Sequence, residues 1–253
     1  MNPRVIVVDD EAASAAVLGG LLRRLGCEVI LFDRAAQALP AMLAGDVDLV
    51  CLDLSMPGLD GHQALTLIRS HEYSQRAPSV PVIAVTGRVR PQDRAQALAA
   101  GFAAHLGKPV LAERLQRVLA RTMTLRDDLH RTRYSADRAT LEQRLHAMRQ
   151  ADAGDPLPGA AGLALAIEQE GHATLLLALN HAFAGDATAA CGTVLAFAGM
   201  ASDIGAPRLA QALHALHERL CAGPEDELVT AAVLARAELD RVIFTLREQV
   251  RTP

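Results

Sequence analysis

The N-terminal half of the chain repeats one pattern five times: a short, almost wholly apolar run, then a longer stretch rich in Ala and Leu. RVIVV from residue 4 precedes a helical pattern over 12–25, CEVILF precedes one over 34–44, and VDLVCLDL precedes one over 59–71. VPVIAVT is followed by a helix after Pro91, and AHL by a helix from Val110. Runs apolar at every position, rather than every second one, suit strands buried on both faces, and the intervening helices supply the covers. The pattern predicts an α/β fold, a doubly wound five-stranded parallel sheet. Five such units occupy about 120 residues, the size of one domain.

At 253 residues, half of them apolar by type, the chain has room for a second core. The second half has no strand pattern. Helical runs near 163–184, 187–201, 207–221 and 226–250 are broken at Gly185, at Gly205-Ala206-Pro207 and at Gly223-Pro224. Helices of this length with short breaks predict an antiparallel all-α bundle. Between the two halves, Leu111, Leu115, Val118, Leu125 and Leu129 continue at spacings of three and four around Thr122, a short heptad seam that predicts a linker helix able to pair with a second copy of the chain. ADAGDPLPGAAG at 151–162 has the composition of a linker. The expected domains are 1–122, a helical linker 123–157, and a bundle 158–253.

Charge and composition narrow the function. Net charge is −4 with no basic run, and the acidic balance lies in the second half, which argues against nucleic-acid binding there. The N-terminus enters a short strand and then acids, unlike a signal peptide, and no stretch of about 20 apolar residues predicts a membrane span. A cytoplasmic location is expected. Cys27, Cys51, Cys191 and Cys221 have no CxxC spacing and read as structural thiols rather than disulfides or a metal site.

In a parallel sheet of this kind the ligand site lies at the carboxyl ends of the strands. Asp9, Asp10 and Glu11 end the first strand, Asp53 the third, Thr86 the fourth, and Lys108 follows the fifth. Carboxylates gathered at one point repel one another unless a cation is present. Mg²⁺, which prefers a few carboxylate oxygens plus waters, resolves the conflict. It also neutralises an incoming phosphoryl group and leaves a carboxylate oxygen, best placed on Asp53, free to attack phosphorus. Lys108, the only lysine among 25 basic residues, supplies a compact charge for a phosphoryl oxygen, and the Thr86 hydroxyl a hydrogen bond to another.

DDE at 9–11, DLSMPGLDG at 53–61, TGR at 86–88 and GKP at 107–109 resemble the CheY-like, flavodoxin-like receiver domain of two-component response regulators. The resemblance implies that Asp53 takes a phosphoryl group from a sensor histidine kinase or phosphotransfer protein. It implies Mg²⁺ on Asp9, Asp10, Asp53 and the backbone carbonyl of Ser55, and a switch in which Thr86 moves toward the phosphoryl group. At the switch position, where receivers commonly carry Tyr or Phe, this chain has His105, either a pH-sensitive filler of the pocket Thr86 vacates or a strand histidine without a role.

VLAFAGMASDIGA at 194–206 resembles the central helix of a histidine phosphotransfer domain, with Leu195 in the place of the phosphorylated histidine. Phe197, Gly199, Ala201, Ile204, Gly205 and Ala206 match the scaffold pattern, while Ala198 stands where a lysine is expected. The resemblance implies a pseudo-phosphotransfer bundle that docks kinases or other response regulators without carrying phosphate. An unrelated bundle, in which GMASDIGA is an inter-helix turn, remains open. So does a relay through His181, which has Phe183 and Gly185 at the +2 and +4 positions but mismatched Cys191 and Gly192 beyond. An RNA-binding helical output is a further alternative, against which the acidic balance counts. His172, His214 and His217 lack the following glycine; His214 and His217 have no evident third metal ligand and read as surface histidines. With no nucleophile–base pair in the second half, catalysis is expected only as phosphoryl gain and loss on the receiver.

Overall fold

The structure, a computed structural model, describes residues 2–74, 79–131, 143, 160–222 and 225–251. The N-terminal unit alternates β1 (Arg4–Val8), α1 (Ala12–Arg24), β2 (Glu28–Phe32), α2 (Ala35–Leu43), β3 (Leu49–Asp53), α3 (Gly61–Ser74), β4 (Val82–Thr86), α4 (Pro91–Ala100), β5 (Ala104–Gly107) and α5 (Ala112–Arg131). The strands are parallel in the order β2-β1-β3-β4-β5. Every residue of β3 and β4 is buried, whereas the edge strand β2 is only half-buried. The uninterrupted apolar runs thus mark the central strands, as their position between two helical layers requires.

Alternation along the strands sorts the side chains between two cores. Val5, Val7, Leu49, Cys51, Ile83 and Val85 pack against Leu18 and Leu22 of α1 and Leu115, Val118 and Leu119 of α5. Ile6, Val8, Val50, Leu52, Val82 and Ala84 pack against Met42 of α2, Leu65 and Ile68 of α3, and Phe102. Each such buried Leu or Ile stabilises the fold by roughly 1.5–3 kcal/mol relative to exposure. This is the expected doubly wound sheet.

The helix starts have local causes. The sequence pattern starts α3 at residue 59, but the helix begins at Gly61 because Asp60 caps it: the Gln63 N–H donates to Asp60 Oδ1 at 2.8 Å and the Asp60 N–H to Gln63 Oε1 at 3.1 Å. α4 begins at Pro91, where a missing N–H costs nothing, and the Arg90 N–H donates to Asp93 Oδ2 at 3.1 Å. Arg69 and Glu72 tie α3 to the approach to β4: Arg69 Nη1 meets Glu72 Oε2 at 2.9 Å, and the Val80 N–H donates to buried Glu72 Oε1 at 2.7 Å.

The chain divides into two compact units, Met1–Arg133 and Tyr134–Pro253. α5 continues to Arg131, beyond the expected boundary at 122. The linker-like stretch at 151–159 and most of the expected linker lie outside the described residues, as do the side chains of Leu125 and Leu129. The second unit contains α6 (Ala160–Phe183), α7 (Ala187–Asp203), α8 (Pro207–Ala222) and α9 (Glu225–Arg251). Each helix packs on its sequence neighbour and α9 closes on α6, the closed ring of a four-helix bundle. Gly185 and Gly205, with φ of 86° and 78°, make the two turns on either side of α7. Among the described residues no helix is long and apolar enough to cross a membrane.

Candidate functional site

Strand register brings the polar residues to one edge. Val8 pairs with Leu52, Asp53 with Val85, and Thr86 with Gly107, so Asp9, Asp53, Thr86 and Lys108 follow one another across the carboxyl ends of β1, β3, β4 and β5. The junction is buried: Asp9 is 1% and Asp53 5% exposed.

Two buried carboxylates in contact demand positive charge, and Lys108 provides it. Its Nζ lies 2.8 Å from Asp9 Oδ2 and 2.7 Å from Asp53 Oδ2. Burial pulls the Lys108 pKa down, but hydrogen bonds and attraction from Asp53 and Asp9 outweigh it and leave the ammonium more basic than usual. The other acceptors are also used. Asp9 Oδ1 accepts the Glu11 N–H at 3.1 Å and Oδ2 the Ser14 hydroxyl at 2.7 Å, while Asp53 Oδ1 accepts the Ser55 N–H at 2.9 Å. Carboxylate oxygens of Asp9, Asp10 and Asp53 lie within 4.8 Å of one another, with Asp10 exposed at the mouth. Glu11, which follows Asp10 at the end of the first strand, contributes its backbone N–H to Asp9.

The loop after β3 fixes Asp53 by close approach. A Cβ on Gly61 would stand 2.5 Å from the Asp53 carbonyl oxygen and 2.9 Å from Leu54 Cα, so only glycine fits where α3 meets the strand end. Gly58, with φ of 81°, completes the turn after Pro57.

Thr86 and His105 lie on one face of the sheet, two positions apart in register, and both engage Arg88. The Arg88 N–H donates to Thr86 Oγ1 at 3.2 Å, and the His105 ring hydrogen-bonds the Arg88 backbone. His105 is buried, and its Nε2 has no partner among the described residues. Burial lowers its pKa; the Arg88 bond and Asp93 act against the shift, and Arg114 and Arg94 reinforce it. Val89 of the same loop covers β5: a Cβ on Gly107 would meet its Cγ1 at 2.4 Å.

The family description that matches is the response regulator receiver domain, over residues 5–120. Residues 5–120 form a receiver domain. The chain is 33% identical over 117 residues to the sensor protein GacS of Pseudomonas syringae, a match covering 46% of this chain and 13% of GacS. It is 35% identical to the histidine-protein kinase BarA of Escherichia coli and 38% identical to the sensory/regulatory protein RpfC of Xanthomonas campestris, covering 12% and 16% of those proteins. Among solved structures, the receiver domain of a sensor histidine kinase from Pseudomonas aeruginosa PAO1, with a magnesium ion in its active-site cleft, is 32% identical. That match has a TM-score of 0.44 and covers 49% of this chain and 99% of that one. A receiver from Methanospirillum hungatei is 23% identical, with a TM-score of 0.44 and coverage of 51% and 98%.

In the bundle, the receiver's companion, Leu195 is 49% exposed on α7. Phe197, Ala201, Ile204, Gly205, Ala206, Leu209, Leu213 and Leu216 are buried. Gly199 faces open space, but Ala198 is fully buried, so the position where a lysine was expected belongs to the core. His181 sits in the last turn of α6, its Nδ1 3.7 Å from Asp186 Oδ2. Gly185, four residues on, is a turn residue beyond the helix end and shares no helical face with it. His214 is exposed, and His172 joins α6 to α9 through Asp240 Oδ1 at 2.9 Å and Arg236 Nη1 at 2.8 Å.

Proposed function

We propose that the chain is a response regulator in which Asp53 accepts a phosphoryl group from a phosphohistidine on a sensor kinase or phosphotransfer protein, and in which the helical bundle acts by binding another protein. The observation that carries this reading is the bridge of Lys108 Nζ between Asp9 and Asp53, with Asp10 at its edge. The donors fit Mg²⁺: the carboxylates of Asp9, Asp10 and Asp53 are hard oxygen ligands gathered where repulsion calls for a cation, and the Ser55 carbonyl would complete the set. When bound, Mg²⁺ offsets charge on the phosphoryl oxygens.

The chain's own residues do the rest. An Asp53 carboxylate oxygen attacks phosphorus, the P–N bond to the donor imidazole breaks, and an acyl phosphate remains on Asp53. Lys108 Nζ exchanges a carboxylate partner for a phosphoryl oxygen, and the Thr86 hydroxyl, now an acceptor from Arg88, donates to another. Because Thr86 and His105 hold the same Arg88 backbone, movement of Thr86 loosens the loop that also rests on His105. That coupling is a two-state element of the kind that transmits phosphorylation.

On this reading the bundle is a phosphotransfer-like docking surface without a phosphate carrier. Its support is Leu195 at mid-helix beside the open Gly199, with a buried core beneath. Output passes through protein contact, with dimerisation through α5 or engagement of a kinase or second regulator as the forms it takes. The relay through His181 gains no support, because the glycine of its pattern leaves the helix. Acetyl phosphate with Mg²⁺ tests the reading: wild-type protein should incorporate phosphate and Asp53→Asn should not, and incorporation by the variant would contradict it.

A further inference from the structure

The bundle holds a second cluster of ligating side chains, of different chemistry. Cys191 Sγ on α7 lies 3.0 Å from Cys221 Sγ on α8, and Cys221 Sγ lies 3.8 Å from His217 Nε2. The three donor atoms all lie within 4.8 Å of one another. His217 and Cys221 are four residues apart on one helix and so share a face, and Cys191 meets them from the neighbouring helix. Thirty residues separate the two cysteines in sequence, which hides the set from any search for CxxC spacing. His217, read from the sequence with His214 as a surface histidine with no evident third ligand, has the two cysteine sulfurs close by.

Two sulfurs and one imidazole nitrogen form a soft to borderline donor set, unlike the hard oxygens around Asp53. Around a tetrahedral Zn²⁺, bonds of about 2.3 Å to sulfur and about 2.0 Å to nitrogen put the sulfurs about 3.8 Å apart and sulfur and nitrogen about 3.5 Å apart. The Cys191–Cys221 and Cys221–His217 spacings need adjustment by less than about 1 Å to reach that geometry. Cys221 is exposed, and Cys191 and His217 are half-buried, so an ion can enter from solvent and a fourth position stays open.

We propose that Cys191, His217 and Cys221 form a binding site for a thiophilic transition-metal ion, Zn²⁺ foremost, which pins α7 to α8. Binding replaces two thiol S–H bonds by two sulfur–metal bonds, releases both protons to solvent, and takes neutral His217 through Nε2. Oxidation to a disulfide would instead need an external oxidant and an attacking thiolate. A bound cation supplies the charge that removes both thiol protons. Cys191 lies four residues before Leu195, so the ion would stiffen the helix face that the docking reading uses; the metal site itself does not depend on that reading.

The test uses the full chain, reduced and metal-free. Zn²⁺ is titrated in competition with a chromophoric chelator, and Co²⁺ is substituted to read thiolate-to-metal charge transfer. With excess Mg²⁺ present to compete for the carboxylates around Asp53, one equivalent should bind, with two protons released per ion in an unbuffered titration at pH 7. Cys191→Ser and Cys221→Ser should each shrink the charge-transfer band and weaken Zn²⁺ by more than the ~10–100-fold lost with an outer partner of a metal ligand, and the double variant should lose the band altogether. Absence of a charge-transfer band in the wild type, no proton release, or equal affinity in the double serine variant would overturn the proposal. The proton count needs only the wild type, so it holds even if a variant misfolds.

Discussion

The two units place their informative residues in opposite ways. In the receiver, Asp9, Asp53, Thr86 and Lys108 are buried or nearly so and converge from four strand ends, and each has a named partner. In the bundle, Leu195 on α7 is apolar and half-exposed, while its neighbours Phe197 and Ala198 fill the core. The receiver edge is organised to hold and compensate charge. The α7 face around Leu195 is apolar and lies open beside Gly199.

Mutations that cross this contrast should separate the units. The largest expected effect is in the bundle core: Phe197→Ala should destabilise that unit by about 3–5 kcal/mol, read from chemical denaturation followed by circular dichroism. At the receiver, Lys108→Ala leaves two buried carboxylates facing each other. It should cost about 2 kcal/mol without Mg²⁺ and less with it, and a variant equally stable in both conditions would argue against the bridge as drawn. Gly61→Ala forces a methyl group against the Asp53 carbonyl oxygen, with an expected loss of about 1–3 kcal/mol and slower phosphorylation, whereas Gly107→Ala, which meets the exposed side chain of Val89, should be milder.

Leu195→Ala, on the open face, should cost less than about 0.5 kcal/mol while weakening capture of a partner regulator or kinase. His105→Phe removes an unpartnered buried nitrogen but also the ring's hydrogen bond to the Arg88 backbone, so it should change stability by under about 1 kcal/mol near neutral pH. Because the folded-state pKa of His105 is lowered, the unfolded chain takes the proton first as pH falls through about 6.5, and stability drops below that point. The stability of the Phe variant relative to wild type should therefore rise from pH 7 to 5, and parallel stability curves would remove His105 as the titrating group.

Much of the receiver was legible because its determinants are local. Apolar runs set the strands, and residues just past a strand end must fall on the same edge of a parallel sheet, so Asp9, Asp53, Thr86 and Lys108 could be placed together. What sequence could not supply was contact. Nothing in the spacing says that Ser14 donates to Asp9, that Glu11 offers its N–H rather than its carboxylate, or that Thr86 and His105 meet at Arg88. In the bundle the turns were visible as Gly185 and Gly205. The pairing of Cys191 with Cys221 and His217 depended on helix packing, which the linear pattern leaves open.

The central claim is that the phosphoryl group resides at Asp53 and nowhere in the bundle. Radiolabelled phosphohistidine donor, incubated with wild type, Asp53→Asn and His181→Ala in Mg²⁺, measures it most directly through the amount and the pH lability of the bound label. The account predicts base-labile acyl phosphate in wild type and in His181→Ala, and none in Asp53→Asn. Base-stable, acid-labile label that persists in Asp53→Asn and vanishes in His181→Ala would contradict it.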